Sequence, residues 1–242
     1  MFAVLSRGVF LAAVGVAFLA GMLIGFDPAD APRLLIEFGG IALSTFVGAW
    51  AAFRLQTRRE DAALRAGRAA ALREAQFALV AQASVLQGLE RNYLAKWRND
   101  PNRDVRLKGI ANHQEIPAVN LASLGFLLES DDPDLPNVLL DCQNKCNTAL
   151  GILEDRFEEV RRFLRKLEAV RGERAVGQIV TADEVRHDVG PEISGALRAL
   201  TDELYGAVDR AIATNDAAFG KLEQQLAKQF PGEAVLHRTP EP

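Results

Sequence analysis

The chain has 242 residues, with 28 Lys+Arg, 32 Asp+Glu, three His and two Cys, long enough for one or two domains with a real core. Two cysteines exclude a disulfide scaffold, and three histidines leave little for zinc or histidine-based chemistry. A net charge of −4 argues against a dedicated nucleic-acid binder.

The average composition hides a split. Residues 1–53 carry only Arg7, Asp27, Asp30, Arg33 and Glu37 as charges. Gly8 to Phe26 has neither charge nor proline; as a helix it would span about 28 Å, close to the hydrocarbon core of a bilayer. Asp27 to Arg33 holds two prolines and three charges, which predicts a turn. A second apolar run follows from Leu34 to Phe53, its sole charge Glu37 near the start. The pattern predicts a transmembrane hairpin over residues 1–54, with spans at 8–26 and 34–53. A secretory signal peptide is the rival, with Ala29-Asp30-Ala31 as cleavage site. The first run is longer than the usual stretch of about 7–15 residues, and the second would still need a membrane.

Arg54, Arg58, Arg59, Arg65, Arg68 and Arg73 follow the second run, whereas the turn holds Arg33 alone. The positive-inside rule predicts two spans in the inner (plasma) membrane with both termini cytoplasmic. Small residues recur every fourth position, as Ala13, Ala17, Gly21 and Gly25 in the first run and Gly40, Ser44, Gly48 and Ala52 in the second. That spacing is one stripe on a helix, suited to close packing within the hairpin or between copies. Glu37 is the intramembrane ionisable residue, a functional suspect by type, with headgroup solvation as its plain explanation.

Beyond the hairpin the pattern is helical. No proline interrupts Arg54 to Asn99, and Leu72, Leu79, Leu86 and Tyr93 fall seven apart. With the second run this predicts one rod of about 100 Å, from Leu34 to Asp100-Pro101. Residues 103–116 read as a connection, and 117–129 as a short apolar helix. Residues 136–171 carry a seam at Cys146, Leu150, Leu153, Phe157, Val160, Leu164 and Leu167, spaced four-three, which predicts a coiled-coil-like or bundle helix. Thr181 and Glu184 match a capping box. Pro191 opens a last long helix over 191–230, and 231–242 reads as a loose tail. Val176–Val180 offers the one credible strand. The predicted class is all-α: a transmembrane hairpin followed by a cytoplasmic antiparallel helical bundle over 55–230.

Chemistry is sparse. Cys142 and Cys146 share a helix face but lack further ligands nearby, so they read as buried free thiols. Glu184 and His187 give one E-x-x-H, where di-iron bundles need two copies and two more glutamates; His113 and His237 supply no second copy. There is no G-x-S-x-G, Walker A or G-x-G-x-x-G. No residue is nominated as catalytic, cofactor-binding or metal-ligating, and no cofactor is expected.

Charge is more informative. Residues 54–110 hold 12 Lys+Arg against 6 Asp+Glu, and residues 111–242 hold 14 against 23. Arg54, Arg58 and Arg59 could meet anionic lipid. Arg91, Tyr93, Lys96, Trp97, Arg98, Arg103, Arg106 and Lys108 interleave cations with aromatics, which suits either pairing with the acidic helices or docking of an acidic partner, nucleic acid being the less favoured one. The expected function is that of a membrane-anchored interaction or scaffold protein whose bundle binds a cytoplasmic partner or self-associates as a homo-oligomer. The alternatives are an oligomeric two-span pore or membrane-perturbing effector gated by the bundle, and an enzyme with a scattered site.

Overall fold

A computed structural model describes residues 31–109, 116–172 and 181–231; in the first helix the side chains are described at Ile36 and from Gly39 onward. Every regular element among them is helical. The chain divides into two units between Leu64 and Arg65.

Helix α1 spans Ala31–Leu89. It starts inside the stretch assigned to the turn, because Pro32 fits a first helical turn, where its missing N–H costs nothing. Among the described residues no helix is long and apolar enough to cross a membrane. The apolar part of α1 with described side chains runs from Gly39 to Phe53, short of the roughly 20 residues a span requires. The first predicted span, 8–26, lies outside the described residues, as do the possible strand 176–180 and the tail from 232.

The α-helical winding stops at Leu89, ten residues before the predicted end at Asn99. One π-helical turn, Glu90–Leu94, and one 3-10 turn, Ala95–Trp97, follow. The physical reason is visible at Leu94, whose carbonyl accepts the Tyr205 hydroxyl at 2.9 Å; a side chain entering the ladder changes the winding. Asn102 N–H then bonds the Asp100 carboxylate at 2.8 Å, turning the chain into the short α2, Arg103–Arg106.

The short helix predicted over 117–129 is present as a 3-10 helix, Leu121–Glu129. Leu121, Leu124 and Leu127 are three apart, and three residues per turn puts them in one column; Leu124 and Leu127 are fully buried. Helix α3, Leu135–Arg171, follows. Its buried line is Leu139, Cys142, Cys146, Ala149, Leu153, Arg156 and Phe163. The four-three period matches the expected seam, but the face turns after Leu153: Leu164 is exposed and Arg156 is inside. Helix α4, Ala182–Val189, has its capping box, with Glu184 N–H on Thr181 Oγ1 at 3.3 Å and Thr181 N–H on Glu184 Oε2 at 3.0 Å. Gly190, at φ 94°, joins it to α5, Pro191–Gln229; that backbone favours glycine.

Contacts fix the directions. Lys145 reaches Thr214 and Arg156 reaches Thr201, so α3 and α5 are antiparallel. Leu79 meets Asn215 and Leu94 meets Tyr205, so α1 and α5 are antiparallel too. Helices α1 and α3 are therefore parallel, and the bundle is not the fully antiparallel one expected. The long connection from 90 to 134 carries the chain back, which a short loop could not do. The larger apolar core joins Leu72, Leu79 and Leu86 of α1 to Leu139 of α3 and Leu204 and Leu222 of α5. A smaller one gathers Phe163, Val189, Ile193 and Leu197.

Candidate functional site

Arg156 lies between the two cores, next to Leu153 on one side and Phe163 on the other along α3. Its side chain is 1% exposed. Among the described residues no carboxylate bonds it; four other oxygens do. Nε donates to Thr201 Oγ1 at 2.9 Å, and Nη2 to the carbonyls of Leu107 at 2.6 Å and Asp104 at 3.2 Å. Nη1 reaches the Lys108 carbonyl at 3.5 Å. Burial lowers the guanidinium to about 10, against the pull of Tyr205 and Asp104, and it stays charged at neutral pH. Gly109 then passes so close to Phe157 that a Cβ would lie 2.9 Å from the ring.

Asp104 is buried and held from the other side. Arg186 donates Nη2 and Nε to its two oxygens at 2.7 and 3.1 Å, and this bond raises the Arg186 guanidinium above its ordinary value. A bidentate pair of this kind fixes orientation as well as charge. Beside it, Arg171 bonds Asp188. The clasp thus ties α2 to α3, α4 and α5.

The cation–aromatic patch singled out in the sequence sits next to this clasp. Arg98 grips Asp209 through two bonds at 2.9 and 2.8 Å and reaches Glu90 Oε1 at 2.7 Å. The bond to Asp209, then that to Glu90, raises Arg98, and Arg98 lowers Asp209. Arg103 donates to Asp202 at 2.7 Å. Both guanidinium groups lie over the Tyr205 ring, at 5.2 and 4.9 Å. Arg106 pairs with Asp100 at 3.1 Å and, with Lys96, lies over Trp97. Tyr93 is half exposed, and Arg91 and Lys108 lie at the surface of the same stretch. The structure therefore joins Arg98, Arg103 and Arg106 to carboxylates of this same chain.

The remaining nominated residues belong to the other unit of the chain. Gly40, Ser44, Gly48 and Ala52 are exposed on α1, with open space where Cβ atoms of Gly40 and Gly48 would stand. Arg54 stacks over Trp50 at 5.2 Å, and Arg58 and Arg59 are exposed. Ala13, Ala17, Gly21 and Gly25 lie outside the described residues, as does the side chain of Glu37.

Sequence reasoning missed the buried polar residues. Gln82 donates to the Pro117 carbonyl at 3.0 Å and to Gln143 Oε1 at 2.7 Å, and its own oxygen accepts from the thiols of Cys146 and Cys142 at 3.6 and 3.8 Å. The neighbouring Cys142 thiol, with burial, pushes Cys146 above its ordinary value. Asn215 donates to the Leu79 carbonyl at 3.1 Å. Gln76 is fully buried, and neither amide atom has a bonding partner among the described residues. Gln76 and Asn215 break the apolar stripes of α1 and α5, and that break was the available signal.

Among the described residues no three His, Cys, Asp or Glu side chains gather as a metal set. An open cleft of about 880 Å³ lies by Arg165, Lys166 and Pro191, and across it Arg162 pairs with Glu192 at 3.1 Å. The site is a fastening of charged and aromatic groups around one turn of chain. No family model, curated protein or solved structure matches this chain.

Proposed function

We propose that the chain is a membrane-anchored helical interaction protein, with the apolar N-terminal region in the inner membrane as a two-span hairpin and the helical bundle presented on the cytoplasmic side. One observation supports the anchor above the rest. Ile41, Leu43, Phe46, Val47, Trp50, Phe53 and Leu55 are all more than half exposed, and at 100° per residue they cover about two thirds of the circumference of α1, with the exposed Ala42, Ala49 and Ala52 in the remaining sector. A helix apolar all round belongs in a protein core or in lipid. Trp50 stands where the charges begin, the usual level for an interfacial aromatic. Leu34, Leu35 and the run Gly8–Phe26 extend the apolar sequence on the other side.

The bundle supports interaction over catalysis. Its charged groups are tied to one another around Tyr205 and Arg156, a rigid frame suited to presenting a surface.

Fractionation of cells expressing the full chain tests the anchor. The protein should stay with the membrane pellet through alkaline carbonate and leave it only in detergent. Tags at either end should resist protease until the inner membrane is opened. Release by carbonate alone would refute the anchor. Chemical cross-linking in detergent should then trap a homo-oligomer or a cytoplasmic partner; a strictly monomeric, partnerless chain would refute the interaction role.

A further inference from the structure

The first arginines after the apolar stretch differ from those of the bundle. Arg98, Arg103 and Arg106 are each held by a carboxylate. Arg58 and Arg59 have no acidic partner among the described residues, although Glu60 and Asp61 are adjacent in sequence. Glu60 instead accepts a bond from Gln56 Nε2 at 2.9 Å. Arg54 lies over the Trp50 ring, which carries its guanidinium plane beside the indole with its N–H donors still open. Among the described residues nothing covers the segment, and every residue from Gly40 to Arg68 is exposed.

We infer that Trp50, Arg54, Arg58 and Arg59 form a collar that selects anionic phospholipid headgroups over zwitterionic ones where the apolar segment leaves the bilayer. The inference rests on the membrane reading above. Its chemistry is specific to the residues. Guanidinium groups bind phosphate oxygens through two parallel N–H bonds. Trp50 keeps Arg54 at headgroup depth, since the indole is apolar at its face and polar at its N–H. Arg58 follows one turn further on the same face, and Arg59 widens the collar. Three unneutralised cations at a surface favour an anionic lipid by about tenfold or more over a neutral one.

The chain has two tryptophans, so Trp97→Phe leaves Trp50 as the reporter. The full-length variant would be reconstituted in phosphatidylcholine containing a minor fraction of phosphatidylglycerol, with bromine on the acyl chains of one lipid or the other. Bromine quenches indole on contact. The expected result is stronger quenching, at equal mole fraction of brominated lipid, when the glycerol lipid carries the bromine. Salt should weaken that preference, and the R54Q/R58Q/R59Q variant should lose it while remaining in the membrane. Equal quenching by both lipids would overturn the headgroup preference alone; quenching by neither would overturn the membrane reading. Lipid retained by the unsubstituted chain in polymer-excised native discs gives a second readout. Enrichment of anionic species over the bulk membrane, lost in the triple variant, supports the collar, and bulk composition in both overturns it.

Discussion

One helix, α1, lives in two environments. From Ile41 to Leu55 its apolar side chains face outward on every side, whereas from Leu72 to Leu89 one stripe is buried and the opposite face is polar or exposed. Apolar composition alone therefore does not define a core; the width of the apolar surface decides what the helix must bury against. A stripe wants neighbouring helices, and a full sleeve wants a uniform apolar medium. The same division holds among the nominated arginines: Arg98, Arg103 and Arg106 are paired with carboxylates, whereas Arg58 and Arg59 have no acidic partner among the described residues.

The comparison breaks most heavily at Arg156. Arg156→Ala should cost the bundle about 3–5 kcal/mol, from the lost charged hydrogen bonds and the space left behind. Urea unfolding followed by helical circular dichroism measures it, and a loss under about 1 kcal/mol would mean that the clasp does little. Next comes a matched pair on α1. Leu79→Ala should destabilise the same transition by about 3 kcal/mol, as large-to-small core changes do, while Leu43→Ala should leave it unchanged. Equal effects would erase the distinction between the two stretches.

A smaller effect of opposite sign is expected at Gln76. Both of its amide atoms are buried without a partner among the described residues, so Gln76→Leu should stabilise the bundle by about 1 kcal/mol; a loss of stability would show that the amide is bonded in solution. The smallest effect is that of pH on Asp209. Arg98 depresses this carboxyl in the folded chain. Its contribution is present above the unfolded aspartate value of about 3.9 and is lost as pH falls through the lower folded value. Wild type should therefore lose more of its melting temperature below about pH 4 than Asp209→Asn does; parallel curves would contradict the pairing.

The helices themselves were largely legible, because their signals are local. Thr181 and Glu184 announce a cap, Pro191 a first turn, and the four-three spacing a buried face. One difference has a local cause as well. The predicted seam of α3 passes through Leu164, which is exposed, because an arginine at 156 reads as surface. Leu121, Leu124 and Leu127 stand three apart, the spacing of a 3-10 column. The winding change at Glu90–Leu94 and the parallel course of α1 and α3 were not legible, since both depend on contacts made far along the chain. The same holds for the site. Its cations and aromatics stand out in the sequence, but the partners of Arg103 and Arg98 lie 99 and 111 residues away, and no spacing rule connects them.

Arg156 fastens its neighbour through main-chain oxygens of residues 104, 107 and 108. Such an anchor reads the course of the backbone and ignores which side chain is attached to it. Lys108 could accordingly drift among many residue types over evolutionary time without loosening the joint, whereas position 156 would tolerate almost no replacement. Diverging copies of the chain should keep an arginine at 156 while position 108 opposite it varies freely.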